Sequence, residues 1–170
     1  MKRLILMRHA KSSWKQEGVD DHERPLNARG QRDAPRVAAR LAELGWRPER
    51  VVLSDARRTR ETWALMAGPL GRPPAVETRR LYLAGLGAIR QEARALPDEV
   101  GSALLLGHNP GWEEAASALS GDAVGMTTAN AALLESGAAT WAEALAGPWR
   151  LVALIRPKDL PGADPQDDDD

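Results

Sequence analysis

The 170-residue sequence contains no cysteine and no phenylalanine, and it has only one tyrosine and three histidines. Without cysteine, the chain cannot form disulfides, thiolate zinc sites or a cysteine nucleophile. Any histidine chemistry must use His9, His22 or His108. The sequence also lacks an apolar run of about 18 residues, the minimum typical of a transmembrane helix, so no membrane-spanning segment is predicted.

The net charge is small, but the charged residues are unevenly distributed. The formal net charge is −1, yet residues 161–170 contain five aspartates and no basic residue, which leaves the preceding chain mildly basic. We predict a single domain over residues 1–160, followed by an acidic, disordered tail over 161–170. The basic excess is too small to predict nucleic-acid binding. The first apolar stretch, Leu4–Met7, is too short for a signal peptide, so a cytoplasmic location is expected.

Short apolar runs alternate with helical patterns along the chain. Buried strands are predicted at 4–7, 51–53, 103–106, 131–135 and 151–155, and helices at about 27–44, 56–67, 86–96 and after Pro110. Residues 68–75 are rich in glycine and proline and are predicted to form a loop. Pro35 lies inside the first helical pattern, so that helix is expected to kink or to begin later than its N-cap candidate, Asn27. The alternation predicts a three-layer α/β/α sandwich around a mostly parallel sheet.

Several polar residues are expected to lie on the surface with no special role. Arg32, Arg36 and Arg40 recur at i, i+4 spacing and predict a solvated helix face. His22 is expected to be exposed as well. Trp14 lies close to the first strand end and could border a pocket there.

Phosphate-compatible segments follow three of the predicted strands. These are Arg8–His9, the segment from Ser54 to Arg58, and Gly107–His108. Ligands of parallel sheets bind beyond the carboxyl ends of strands, so these segments are expected to meet. A neutral imidazole can attack phosphorus, and arginine side chains bind phosphoryl oxygens in bidentate fashion. Neighbouring arginines would also disfavour protonation of that imidazole.

The same three segments resemble the motifs of the histidine phosphatase superfamily. Leu6-Met7-Arg8-His9-Ala10 is similar to the family's Arg-His-Gly signature, with alanine in place of glycine. The segment from Ser54 to Thr62 resembles its second block, and the segment from Leu106 to Gly111 its third. Together with the segment from Asp21 to Gly30, they resemble the SixA-type phosphohistidine phosphatases most. This resemblance implies a phosphoglycerate-mutase-like fold.

The resemblance also implies roles for individual residues. His9 would accept the phosphoryl group, and Arg8 and Arg58 would bind its oxygens. His108 would bind the same group as a donor or partial cation, and Arg24 would support the pocket. No metal or other cofactor is implied.

The sequence departs from the family at the general acid. Lys11 stands where many relatives carry glutamate, and the segment from Leu81 to Gly85 has no carboxylate, although relatives carry their proton donor in this stretch. Asp21 remains the one candidate acid, while Glu77 and Glu92 fall outside the motif.

Three functions are compatible with these motifs. The leading hypothesis is a metal-independent hydrolase of phosphohistidine in a protein. The alternatives are a phosphatase of a small phosphorylated metabolite and a non-catalytic, phosphate-dependent binding module. The partner is thus a phosphorylated protein or a small phosphorylated molecule.

Overall fold

A computed structural model describes residues 1–165. Its strands are β1 (Lys2–Arg8), β2 (Arg50–Ser54), β3 (Ala75–Thr78), β4 (Ser102–Gly107), β5 (Ala131–Ser136) and β6 (Arg150–Ile155). Its helices are α1 (Ala28–Glu43), α2 (Arg57–Met66), α3 (Leu86–Arg94), α4 (Gly111–Ser120) and α5 (Trp141–Ala146). Short 3₁₀ turns lie at Asp21–Glu23, Arg79–Leu81 and Pro157–Asp159.

The six strands form one mixed sheet in the order β3-β2-β4-β1-β5-β6. Strands β3, β2, β4 and β1 are mutually parallel, and β5 runs antiparallel to both β1 and β6. In β1, Leu4 and Leu6 pack into the cluster formed with α3, α4 and α5, whereas Ile5 and Met7 pack into the cluster with α1 and α2. Because alternate side chains enter opposite clusters, helices cover both faces of the sheet. The predicted three-layer sandwich with a mostly parallel sheet is confirmed.

Register brings the three predicted strand ends together. Arg8 at the end of β1 lies opposite Gly107 at the end of β4, and β4 also pairs with β2. Gly107 has no room for a side chain, because a Cβ there would lie 2.3 Å from the buried ring of Trp112. The chain therefore leaves β4 close against α4, with His108 beside the end of β1.

The loop after β1 is held against the start of α1. The Lys11 carbonyl accepts a hydrogen bond from the Asn27 amide at 3.0 Å, and the Ser13 amide donates to the Pro25 carbonyl at 2.8 Å. A Cβ at Gly30 would lie 2.2 Å from the Lys11 carbonyl oxygen, so only glycine permits this approach. The predicted N-cap is confirmed, since the Asn27 side chain accepts a hydrogen bond from the Gly30 amide.

Two sequence-based expectations about α1 need correction. The helix begins at Ala28 and contains Pro35, so a late start is excluded, whereas a kink at the proline stays a prediction. Its buried face, which includes Val37 and Leu41, packs against the sheet and maintains the helix through the proline. Arg36 is not merely solvated, because its guanidinium donates to Asp33 and to main-chain carbonyls of the chain after β6.

Strand β3 lies partly in the predicted loop. Ala75, Val76 and Glu77 are exposed at the edge of the sheet, so no buried apolar run marks this strand. The domain boundary near residue 160 stays a prediction. Of the predicted tail, residues 161–165 are described and 166–170 lie outside the described residues. Within residues 1–165, no helix is long and apolar enough to cross a membrane.

Candidate active site

Four side chains form the base of a pocket at the carboxyl ends of β1, β2 and β4. His9 follows β1, His108 follows β4, Arg58 lies in the first turn of α2, and Arg8 ends β1. His9, His108 and Arg58 are 6%, 2% and 2% exposed, and Arg8 is half-buried. We refer to these four residues as the floor. The structure thus brings together the residues that the three motifs pointed to.

The His9 ring is oriented by its own loop. Its Nδ1 lies 2.7 Å from the Ala10 carbonyl oxygen, which can only accept a hydrogen bond, so this nitrogen carries the proton. Its Nε2 accepts from Arg58 Nε at 3.3 Å. Burial, opposed by the Ala10 hydrogen bond but reinforced by the neighbouring His108 ring and by the charges of Arg58 and Arg8, holds the pKa of His9 well below its usual value. His9 therefore has a neutral ring with the lone pair on Nε2.

His108 is held on two sides. Its Nε2 donates to Ser54 Oγ at 2.8 Å, and its Nδ1 accepts from Arg58 Nη2 at 3.3 Å. Burial and the Arg58 charge lower the pKa of His108 to about 3, so the ring is neutral rather than partly cationic in the unliganded pocket. Its centroid lies 5.3 Å from that of His9. A phosphoryl dianion between the rings would raise the pKa of both, because a nearby negative charge favours the cation.

Arg58 connects the two histidines to the loop above them. Besides its contacts with both rings, it donates to the Asp21 carbonyl at 2.6 Å and to Asp21 Oδ2 at 3.0 Å. Its neighbour Arg57 is exposed and pairs with Glu61. Motif spacing and structure therefore select the same arginine from an arginine-rich segment.

Arg8 and Arg24 line the pocket from two further sides. Arg8 donates to the Met126 carbonyl at 3.0 Å, which orients it from the segment before β5. Arg24 is 8% exposed and donates to Ser12 Oγ at 2.8 Å. Its guanidinium also lies over the ring of Trp14. Trp14 borders the pocket, as expected from the sequence.

Asp21 is also at the pocket, but its carboxylate is surrounded by donors. It accepts hydrogen bonds from Tyr82 Oη at 2.5 Å, Arg58 Nη2 at 3.0 Å and Arg24 Nε at 3.1 Å. Partial burial raises the pKa of Asp21, but the Tyr82 hydrogen bond and the two arginines outweigh it and lower the pKa to about 2. The group is ionised at neutral pH and has no proton to give.

The other two acid candidates do not line the pocket. Glu77 is exposed on β3, and Glu92 pairs with Arg80 at 2.5 Å. Within residues 1–165, no group of three or more histidine, cysteine, aspartate or glutamate side chains is arranged to hold a metal ion.

Sequence reasoning missed the roles of two supporting residues, since Ser54 orients His108 and Tyr82 donates to Asp21. His22 does not line the pocket, but it is half-buried rather than exposed. His22 Nε2 lies 2.7 Å from Asp55 Oδ1, and its Nδ1 3.0 Å from Glu23 Oε1. These hydrogen bonds raise the pKa of His22. Tyr82 carried one available signal, since it is the sole tyrosine and lies in the segment where relatives carry the acid.

The pocket has a volume of about 260 Å³. It is lined by four basic side chains and one carboxylate among the described residues: Arg8, Lys11, Arg24, Arg58 and Asp21. Concentrated positive charge around two neutral histidines is the environment that a phosphoryl dianion requires. An α/β sandwich with this site at its parallel strand ends defines a phosphate-handling protein.

Comparison with known proteins gives the family. Residues 4–100 match the model of the histidine phosphatase superfamily, branch 1. An uncharacterized chloroplastic protein of Arabidopsis thaliana is 39% identical over 92% of this chain and 78% of its own length. The chain belongs to the histidine phosphatase superfamily and is a phosphatase.

Two solved structures share its fold. A protein from Agrobacterium tumefaciens, proposed to be the phosphohistidine phosphatase SixA, superposes with a TM-score of 0.79 at 28% identity, covering 91% of this chain and 97% of that one. A mycobacterial glucosyl-3-phosphoglycerate phosphatase shares the fold at 17% identity, with a TM-score of 0.66 and coverage of 89% and 97%. The predicted resemblance to SixA-type proteins is confirmed.

Proposed function

We propose that this phosphatase acts through a covalent phosphohistidine on His9, without a metal ion, and that its substrate is phosphohistidine in a protein. The observation that carries the proposal is the neutral His9 ring, whose Nε2 contacts Arg58 in a pocket shared with His108. Burial and neighbouring charge keep this nitrogen unprotonated, and the Ala10 carbonyl fixes its partner nitrogen as the donor.

The reaction has two transfers. His9 Nε2 attacks phosphorus while the bond to the leaving group breaks, and the leaving group takes the bond's electron pair. The proton on His9 Nδ1 stays hydrogen-bonded to the Ala10 carbonyl, which stabilises the positive charge that the phosphorylated ring acquires. Water then attacks the phosphoryl group, releases phosphate and returns His9 to its neutral form. Arg8 and Arg58 bind the non-bridging oxygens throughout, and His108 donates to them from Nδ1 once the nearby dianion has raised its pKa and that nitrogen is protonated.

Basic side chains supply the charge that metal ions supply in many phosphoryl-transfer sites. Arg8, Arg24, Arg58 and Lys11 all line the pocket. Arg58 is 2% exposed, and charge held in such a water-poor position interacts strongly with a dianion.

The preference for phosphohistidine follows from the state of Asp21. An alkoxide leaving group needs a proton, and general acid catalysis of this kind contributes about 10²–10⁴-fold. The low pKa of Asp21 leaves it without a proton to donate. A phosphorylated imidazole can enter already protonated and leaves as a neutral ring, so it needs this help least. Whether the leaving group needs a proton from the enzyme thus distinguishes the leading hypothesis from the metabolite alternative.

The test combines trapping with a substrate panel. Acid- and base-quenched reactions with ³²P-labelled phosphohistidine peptide should yield an acid-labile, base-stable label on His9. The label should be lost in His9→Gln and kept in the matched control His22→Gln. Label on any other residue, or normal turnover by His9→Gln, would refute the covalent mechanism.

The panel compares phosphohistidine peptide, phosphoserine peptide and glucose 6-phosphate, each with and without EDTA. We expect the phosphohistidine peptide to be hydrolysed fastest and EDTA to have no effect. Equal or faster turnover of glucose 6-phosphate would favour the metabolite alternative. Activity that is lost in EDTA and restored by Mg²⁺ or Zn²⁺ would contradict metal independence.

A further inference from the structure

Two exposed apolar side chains border the mouth of the pocket. Trp14 is 76% exposed and Leu83 is 59% exposed, and both line the same cavity as His9 and His108. We refer to Trp14 and Leu83 as the rim. They come from distant parts of the sequence, the loop after β1 and the segment between the second 3₁₀ turn and α3, yet they converge on one opening.

Position 14 is unlike the chain's other tryptophan positions. Four of the other five tryptophans are no more than 5% exposed, and the fifth, Trp63, packs partly buried against the core cluster of α1 and α2. The four buried residues are Trp46, Trp112, Trp141 and Trp149. Trp14 therefore does not contribute to a hydrophobic core. Its exposed indole lacks the stabilisation that burial gives the other tryptophans.

Trp14 is nevertheless held in place. The Arg24 guanidinium carbon lies 3.4 Å from its ring centroid, and Arg24 is itself fixed by Ser12 and Asp21. One face of the indole is thus covered by a cation that lines the pocket, while most of the side chain remains open to solvent. Leu83 has a φ of 51°, a left-handed conformation that is unfavourable for leucine. Both rim residues are held at the opening by local structure that gives them no burial.

The cavity is small. Its volume of about 260 Å³ lies just below the range of about 300–1,000 Å³ typical of sites that bury a drug-sized ligand. A phosphoryl group on the floor would use part of that space, so the polypeptide around a phosphorylated side chain would lie across the rim. A tryptophan on such an opening is typical of protein interfaces, where it contributes strongly to binding.

Two of the polar side chains that line the cavity are already engaged. Asn109 lines the cavity, but its amide donates to Glu113 and the Met126 carbonyl, and its Oδ1 accepts from the Glu113 amide. Asp21 accepts from three donors, as described above. The hydroxyl groups of a sugar would compete with these existing hydrogen bonds, whereas an apolar peptide surface needs none.

We propose that the rim is the docking surface for the polypeptide around a phosphorylated histidine, with Trp14 and Leu83 packing against the leaving imidazole and its neighbouring side chains. This inference rests on the proposed function and deepens it, because it assigns peptide selection to residues that do no chemistry. The floor binds the phosphoryl group of any substrate, and the rim distinguishes a protein from a small phosphorylated compound.

The test compares Trp14→Ala and Leu83→Ala with the matched control Val76→Ala, an exposed apolar residue on β3 that does not line the pocket. Each full-length variant is assayed with a histidine peptide phosphorylated by phosphoramidate, with phosphoramidate itself and with glucose 6-phosphate. We expect Trp14→Ala to lower kcat/KM for the phosphopeptide at least about tenfold, mainly through KM, and Leu83→Ala to lower it less. Turnover of phosphoramidate should stay within about twofold, and Trp14→Phe should restore much of the loss.

The arms separate the two proposals. If the unmodified protein does not hydrolyse the phosphopeptide, the proposed function fails, and the rim loses its occupant with it. If the unmodified protein hydrolyses the phosphopeptide and Trp14→Ala does so equally well, the rim proposal alone is refuted. An equal loss on phosphoramidate would also refute it, because Trp14 would then act through Arg24 on the phosphoryl group. A loss confined to glucose 6-phosphate would overturn the choice of a peptide occupant.

Discussion

The floor of the pocket and the loop segment from Trp14 to Arg24 are built in different ways. The floor residues His9 and His108 directly follow neighbouring strands, whose positions the parallel register fixes. The segment from Trp14 to Arg24 contains only a 3₁₀ turn, and its contacts with the floor are made by the side chain and carbonyl of Asp21. Under the two proposals above, rigid elements carry the groups that react and a loop carries groups that select, a division common in α/β enzymes.

The largest expected effect tests whether the floor depends on Arg58. Arg58→Ala removes the side chain that contacts both histidines and Asp21, and it should lower kcat by about 10³-fold on every substrate. Arg57→Ala, which removes the exposed neighbouring arginine, is the matched control and should stay within about twofold of the unmodified protein. Steady-state kinetics with phosphoramidate checks both variants. Similar losses in the two would mean that helix α2, rather than one guanidinium, is being perturbed.

A smaller effect is expected where the loop meets the floor. Asp21→Asn keeps the size of the side chain but removes the charge that orients Arg58 and Arg24. We expect kcat/KM to fall about tenfold, and to a similar extent for phosphoserine and phosphohistidine peptides, because the ionised carboxylate positions groups and donates no proton. The ratio of the two rates is the decisive measurement. A selective loss of about 10²-fold or more on phosphoserine would instead identify Asp21 as the general acid.

The smallest expected effect is a difference in pH titration among the three histidines. Because burial lowers the pKa of His9 and His108 and hydrogen bonds raise that of His22, their NMR signals should behave oppositely. His22 should titrate above the ordinary pKa of histidine, His9 should titrate below it, and His108 should show no titration between pH 7.5 and 5. A titration of His9 near pH 6.5 would contradict the neutral nucleophile.

The same shifts predict how stability depends on pH. Below pH 6.5, unfolded His9 and His108 take up protons that the folded protein excludes, so each should lower the free energy of unfolding by about 1.4 kcal/mol per pH unit. His22 acts with the opposite sign, since its contribution is fully present below pH 6.5 and is lost as pH rises through its raised folded value. Urea unfolding at pH 7.5 and 5 measures the net change in the free energy of unfolding, and His22→Gln is the control.

The sequence could predict the floor because its residues are local to strand ends. Arg8-His9 and Gly107-His108 each follow an apolar run, and the register of parallel strands does the rest. The contact between Asp21 and Tyr82 joins residues 61 positions apart across two irregular segments, and no periodicity encodes it. The edge strand β3 escaped prediction for a related reason, since its exposed side chains leave no hydrophobic signal. Sequence patterns report burial well, and they report loop paths poorly.

The close approach of Gly30 to Lys11 has an entropic consequence. The first part of the loop after β1 is bonded to the segment just before α1, through the Asn27 and Ser13 amides, and at Lys11 it has no room to shift toward the helix. Its conformational freedom is therefore given up when the chain folds rather than when a phosphoryl group arrives. Less ordering is left for the binding step, so more of the attraction between the cationic pocket and the dianion remains available to lower the barrier of the transfer.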